Sequence, residues 1–206
     1  MGRGPGIQMK ICTSNSAEYI IIEDFFEQHE LSGIWREIAF LTPKLLGPEH
    51  TYAATEEGAY LKKNTGLFLD DTYAKRETSD ILIATRKLWS PEILTEIAKM
   101  SPWWRLLGMS TRDTTLLNCY KDNEYYNPHS DQAVITAITT LYKEPVNFTG
   151  GDFVISEYGV TIPKCSNTMI IFPSAAKHRV TPVKMLETEV ANPYRYSIAQ
   201  FVFVGH

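Results

Sequence analysis

Tyr126-Asn127-Pro128-His129-Ser130-Asp131 runs, after Gln132, into Ala133–Tyr142, AVITAITTLY, and this stretch decides how the second half of the chain reads. AVITAITTLY is dense in β-branched residues, which suit a pleated, half-buried strand. Residues two apart on extended backbone project from one face, so His129 and Asp131 can offer an imidazole nitrogen and a carboxylate oxygen to one ion. An HxD triplet also arises by chance, so its meaning depends on its surroundings.

Outward from it the same texture continues. TTLLNCY (114–120), GGDFVISEYGVTI (150–162), NTMIIF (167–172), HRVTPV (178–183) and YRYSIAQFVFV (194–204) are short β-branched and aromatic runs separated by turn signals. Strands at this spacing predict a double-sheeted jelly roll, a double-stranded β-helix, over about 114–206. The first half reads differently. Ile20–Ile22 predicts a short strand, and Leu31, Ile34, Trp35 and Ile38 predict an amphipathic helix ended by Pro43, Gly47 and Pro48. Ser90-Pro91-Glu92 opens a second helix running to about Met100. Residues 51–79 read as loops with short strands. The expected architecture is mainly β with flanking helices: helical support over 19–113 and the jelly-roll core after it, one domain over 9–206.

Two further segments carry chemistry. In Ile170–Val183, IIFPSAAKHRVTPV, a strand ends at Phe172-Pro173 and His178 begins the next, which can return an imidazole to the cavity of His129 and Asp131. Two histidines and one carboxylate on one face of an octahedral ion leave three positions open, the facial triad of non-haem iron(II) oxygenases. In the last strand Arg195 and Ser197 share a face. A guanidinium holds a carboxylate through two parallel hydrogen bonds, and a hydroxyl adds a third. An inward arginine among apolar walls needs such a partner, and a dicarboxylate cosubstrate provides it. Taken singly, His178 also fits a satisfied strand-edge histidine and Arg195 a surface ion pair.

In order and spacing these pieces resemble the prolyl 4-hydroxylase branch of the iron(II)- and 2-oxoglutarate-dependent dioxygenases. The resemblance runs from Tyr120 to Val204: Tyr120 and Tyr126 ahead of His129, Gly150-Gly151-Asp152-Phe153, Phe172-Pro173-Ser174 with His178, Val180 and Pro182, then Arg195 and Ser197. It implies iron(II) on His129, Asp131 and His178. It further implies 2-oxoglutarate with its far carboxylate on Arg195 and Ser197, Tyr120 as a further donor to it, and Thr140 as a weaker candidate. Dioxygen is the other cosubstrate, and ascorbate is implied as a reductant. The implied reaction couples decarboxylation of 2-oxoglutarate to hydroxylation of a C–H bond. Related halogenases lack a carboxylate at the position of Asp131, so its presence points to hydroxylation.

Two features depart from the branch. Arg195 follows His178 by 17 positions, which implies an enlarged hairpin over 184–192, and the turn KDNEY (121–125) lacks glycine. The implied substrate is a proline-containing peptide or protein, with free amino acids or other side chains as alternatives. The segment 66–78, with Asp70, Asp71 and Arg76, falls where relatives carry a mobile loop over the peptide. Trp103 and Trp104 read as core anchors or a peptide-stacking wall, and Lys62-Lys63 and Lys75-Arg76 as solvated. A nucleic-acid dealkylase of the same superfamily would carry a second arginine where Phe201 stands. A non-catalytic jelly-roll module needs no cosubstrate clamp.

Composition agrees. The 206 residues are 44% hydrophobic and 21% charged, ordinary for a folded domain, and a net charge of −4 argues against a phosphate-backbone binder. Three cysteines without close spacing (Cys12, Cys119, Cys165) form no disulfide or zinc framework, and Cys119 and Cys165 read as small core residues. No stretch reaches the ~20 apolar residues of a membrane span. Residues 1–8 read as an expression scar ahead of Met9, His29 and His50 as surface residues, and His206 as a frayed end. A cytoplasmic, reducing location is the default expectation, with the oligomeric state left open.

Overall fold

The structure is a computed structural model that describes residues 10–13, 18–186 and 193–205. The expected scar, the tip of the 184–192 hairpin and His206 lie outside the described residues. The first half holds strands β1 (Lys10–Thr13), β2 (Ile20–Glu23), β3 (Thr55–Glu56), β4 (Ala59–Tyr60) and β5 (Thr65–Phe68) among helices α1 (Gln28–Leu41), α2 (Leu69–Thr72), α3 (Asp80–Thr85) and α4 (Pro91–Met100). The second half is strands: β6 (Arg112–Tyr120), β7 (Tyr126–His129), β8 (Ile135–Leu141), β9 (Phe148–Gly150), β10 (Phe153–Ile155), β11 (Val160–Thr161), β12 (Thr168–Pro173), β13 (His178–Val180), β14 (Val183–Met185) and β15 (Arg195–Phe203).

A seven-stranded sheet runs in the order β1-β2-β12-β8-β15-β6-β5, and a four-stranded sheet, β11-β10-β13-β7, covers one of its faces. Pairing is antiparallel throughout these sheets. This is the expected jelly roll.

The two-residue period of the long strands sorts their side chains. Leu117, Cys119, Ile135, Ala137, Met169, Ile171, Tyr196 and Ile198 turn outward and pack with Ile34, Ile38, Ile81, Ile93 and Trp104 of the helical layer. The alternate residues, Leu116, Asn118, Tyr120, Ile138, Arg195, Ser197 and Ala199, line a cavity between the sheets. β15 is buried on both faces because helices cover one and the second sheet the other.

Local chemistry sets the helix ends. Ser90 accepts from Ile93 N–H at 3.3 Å ahead of Pro91, and Glu27 and Glu30 form a capping box at the start of α1. Glu37, buried on α1, accepts from the Ser79 hydroxyl at 2.7 Å and the Ile81 N–H at 2.8 Å, so its carboxylate anchors the start of α3.

Gly150 and Gly151 both adopt φ of +66° where β9 leads toward β10. A Cβ on Gly150 would lie 2.0 Å from the Pro182 carbonyl oxygen. Gly150→Ala is expected to cost roughly 2–4 kcal/mol, combining left-handed backbone strain with overpacking. A denaturant midpoint unchanged from wild type would show that the turn yields instead.

Three expectations need correction. Cys165 is exposed in the turn between β11 and β12, because the apolar run it adjoins starts only at Thr168. Within 66–78, which the resemblance places as a loop over the peptide, residues 66–68 belong to β5, paired with β6, and Asp70 and Asp71 sit in the helical turn α2. Lys62 is not solvated; it is 3% exposed and faces the cavity. Trp104 is buried in the helical layer, His29 and His50 are exposed, and no described helix is long and apolar enough to cross a membrane.

Candidate active site

β7 and β13 are neighbours, and His129 and His178 face each other directly across that pairing. Asp131 lies two residues past the end of β7, where its N–H donates to the Ser174 carbonyl at 2.9 Å. His129 Nε2 is 3.7 Å from one Asp131 oxygen and His178 Nε2 is 3.5 Å from the other. The three donor atoms lie within 4.8 Å of one another.

Each imidazole is oriented by its own strand. His129 Nδ1 is 2.8 Å from the Asn127 carbonyl, and His178 Nδ1 is 3.0 Å from the Ala176 carbonyl. A carbonyl only accepts, so each Nδ1 carries the proton and each Nε2 lone pair is left facing Asp131. Tyr126 stacks on His129 at 3.5 Å between centroids, and Phe172 meets His178 edge-on at 4.7 Å. Asp131 accepts from the Thr136 hydroxyl at 2.7 Å, which itself lies 2.8 Å from Ser174 Oγ.

The electrostatics suit a cation site. Burial first, and the nearby His178 second, push His129 down to about 3, so it is neutral and free to donate its lone pair. Burial raises the Asp131 carboxyl above its usual range, against the opposing pull of His178 and the Thr136 hydrogen bond. A divalent ion would relieve that cost. Two neutral imidazoles and a carboxylate converging in a partly closed cavity fit such an ion.

Along β6 and β15 the cavity wall is a series of cross-strand pairs: Tyr120 opposite Arg195, Asn118 opposite Ser197, Leu116 opposite Ala199 and Thr114 opposite Phe201. Arg195 is 2% exposed. Its guanidinium lies 4.9 Å from the Tyr120 ring centroid, and one Nη donates to Thr140 Oγ1 at 3.4 Å. Its other Nη has no hydrogen-bond partner among the described residues. Burial lowers Arg195 from its usual range, and burial likewise raises Tyr120, whose hydroxyl bonds Ser197. A buried guanidinium with a spare donor could hold a carboxylate. Gly151 sits against it; a Cβ there would come 2.8 Å from Arg195 Cδ.

The cavity encloses about 580 Å³ and is lined by all of His129, Asp131, His178, Tyr120, Arg195 and Ser197. Thr140 reaches it through Arg195. Asp70 and Asp71 stand at its wall, but Asp70 also accepts from Thr115 N–H and pairs with Arg76, which pairs in turn with Asp113. Trp103 and Trp104 do not line it. Tyr52, Phe68 and Phe201 form an aromatic rim, with centroids 5.6 and 6.2 Å apart in succession. Asn118 and the buried Lys62 are among the lining residues that the sequence reading missed. Asn118, two before Tyr120, was findable by strand period; the burial of Lys62 was not.

Comparison with known proteins agrees with this geometry. Residues 115–203 match the family model of the 2OG-Fe(II) oxygenase superfamily. A PKHD-type hydroxylase of Xylella fastidiosa (strain 9a5c) is 30% identical over 148 residues, 62% of this chain and 58% of that protein, so the match spans less than two thirds of the relative. In fold, the chain is similar to a Pseudomonas putida prolyl-4-hydroxylase, with TM-score 0.59 and 13% identity over 92% of this chain and 94% of that one. It is also similar to the viral collagen prolyl hydroxylase of Paramecium Bursaria Chlorella virus-1 in its 2OG complex, with TM-score 0.55 and 13% identity, covering 91% and 97% of the two chains. The strand core, 115–203, thus carries the pattern of the 2OG-Fe(II) oxygenase superfamily, and the fold is similar to that of solved prolyl hydroxylases.

Proposed function

We propose that the protein is an iron(II)- and 2-oxoglutarate-dependent hydroxylase acting on proline residues of a peptide or protein. The observation that carries this is one cavity holding both a three-donor cluster with its Nε2 lone pairs converged and a buried guanidinium with a spare donor.

In this reading His129, Asp131 and His178 hold iron, and Arg195, with Ser197 and Tyr120, holds the far carboxylate of 2-oxoglutarate. Bound iron with 2-oxoglutarate and dioxygen supplies the oxidising power, releasing succinate and carbon dioxide as a C–H bond gains a hydroxyl. The chain's own contribution is placement. Asn127 and Ala176 carbonyls fix the two imidazoles, Thr136 fixes Asp131, and Thr140 steadies Arg195. Phe153 and Phe172 help keep water from the ligand cluster. Ascorbate would serve as reductant, and the cytoplasm as location.

The proline assignment draws support from the prolyl hydroxylases among the similar folds and from the aromatic rim, whose flat faces suit a pyrrolidine ring. The test is succinate release from 2-oxoglutarate on adding iron(II), with and without proline-rich peptides, followed by mass mapping. The expected result is peptide-stimulated succinate and one added oxygen on proline. Oxygen on a free amino acid or another side chain would redirect the substrate alone. Activity on methylated DNA but not peptides would make the protein a dealkylase. No succinate under any condition would leave a non-catalytic binding module.

A further inference from the structure

Lys62 follows the β3–β4 hairpin, where the chain runs beside β7: Lys63 N–H donates to the Tyr125 carbonyl at 2.9 Å and Asn127 N–H to the Leu61 carbonyl at 2.8 Å. With the backbone tied on both sides, the side chain turns into the cavity and is 3% exposed. Its ammonium lies 3.4 Å from Asn118 Oδ1, an oxygen that also accepts from Asn64 Nδ2 at 3.2 Å. It stands 5.6 Å from the centroid of the Tyr126 ring, the ring that stacks on His129. Among the described residues no carboxylate comes within ion-pair distance of it. The acids lining the same cavity are Asp131, assigned to the metal, and Asp70 and Asp71 on α2.

An ammonium has three donors, and here one shared amide oxygen meets them. Burial lowers Lys62 to about 8, still above neutral, so the group stays largely charged in the folded protein. A buried charge without a counter-charge is costly, and its retention in a cavity of this size calls for an anionic ligand. Asn118 stands opposite Ser197, two register positions along from Tyr120 and Arg195 and on the same face. Arg195 on β15, and Lys62, which extends from the chain beside β7 to Asn118 on β6, therefore mark two separate cationic positions in the cavity.

We propose that Lys62 is a second carboxylate anchor of this cavity, distinct from Arg195. The carboxylate has two sources: an acidic group on the molecule being hydroxylated, or the metal-side carboxylate of the cosubstrate. The proposal rests on the hydroxylase reading above and adds the charge of the ligand to it.

The test uses the full chain loaded with manganese(II), in wild-type, Lys62→Met and Lys62→Arg forms. Calorimetry measures 2-oxoglutarate binding in one arm. In the other, the 2-oxoglutarate-saturated protein is titrated with acetyl-Ala-Pro-Glu-amide and its Gln counterpart, which differ only in charge. Lys62→Met is expected to weaken one arm by roughly tenfold or more while Lys62→Arg retains much of the affinity. Loss in the first arm assigns the anchor to the cosubstrate; loss of the Glu-over-Gln preference assigns it to the substrate. Lys62→Met should melt no lower than wild type, since it removes an unpaired buried charge, whereas a purely structural lysine would lower the melting temperature. Affinities within twofold of wild type in both arms overturn the anchor while leaving the hydroxylase reading intact. Failure of the wild type to bind manganese(II) overturns the metal site itself, and the anchor with it.

Discussion

Asp131→Ala is expected to weaken iron(II) or manganese(II) binding by roughly 100-fold or more, since groups that merely orient a metal ligand are already worth about 10–100-fold. Succinate release should fall below detection with it. Asp131 is the one anionic donor in the cluster, held at 2.7 Å by Thr136 and through its N–H by Ser174. The metal-free fold should not suffer, because burial already makes that carboxylate unfavourable. Calorimetric metal titration beside a thermal melt separates the two effects. Metal affinity within threefold of wild type would remove Asp131 from the ligand set.

The second large effect belongs to Arg195. Leaving a carboxylate buried opposite no cation costs about 3–5 kcal/mol, so Arg195→Met should weaken 2-oxoglutarate binding by roughly 100- to 1,000-fold or more. Metal binding should be unchanged, since the guanidinium meets Thr140 and the Tyr120 ring and none of the three donors. Without cosubstrate the variant should be at least as stable as wild type, having lost a charge with an unpartnered Nη. Arg195→Lys keeps the charge but not the planar fork and should fall between. An unaltered 2-oxoglutarate affinity in Arg195→Met would place the diacid elsewhere.

What the sequence made legible follows from where its physics is local. The strand period alone puts Arg195 and Ser197 on one face, and that face does line the cavity. His129, Asp131 and His178 were readable because each sits at or near a strand end marked by proline or a turn. Lys62 was not, because its burial comes from the β3–β4 hairpin folding against β7, a pairing between short segments that no periodicity announces. Cys165 misled in the opposite direction: apolar neighbours in sequence did not become neighbours in space. The resemblance places 66–78 as a loop, yet Gly66 to Phe68 extend the large sheet, as the short strands read over 51–79 allow, through edge pairing to β6. Asp70 and Arg76 then take up each other and Asp113, a structural use that charge alone does not distinguish from substrate contact.

Because each imidazole is braced by a carbonyl only two residues upstream, the chain's own hydrogen bonds would set both rings for an incoming ion. Loading then demands little ordering of the chain, and the barrier is shedding hydration from the incoming cation. A socket of nitrogen and oxygen donors built in advance ranks first-row metals by their intrinsic binding order, in which cobalt, nickel and copper all exceed ferrous iron. If iron is held there as proposed, donor type and geometry together with supply in the surroundings, and not raw affinity, would decide its place.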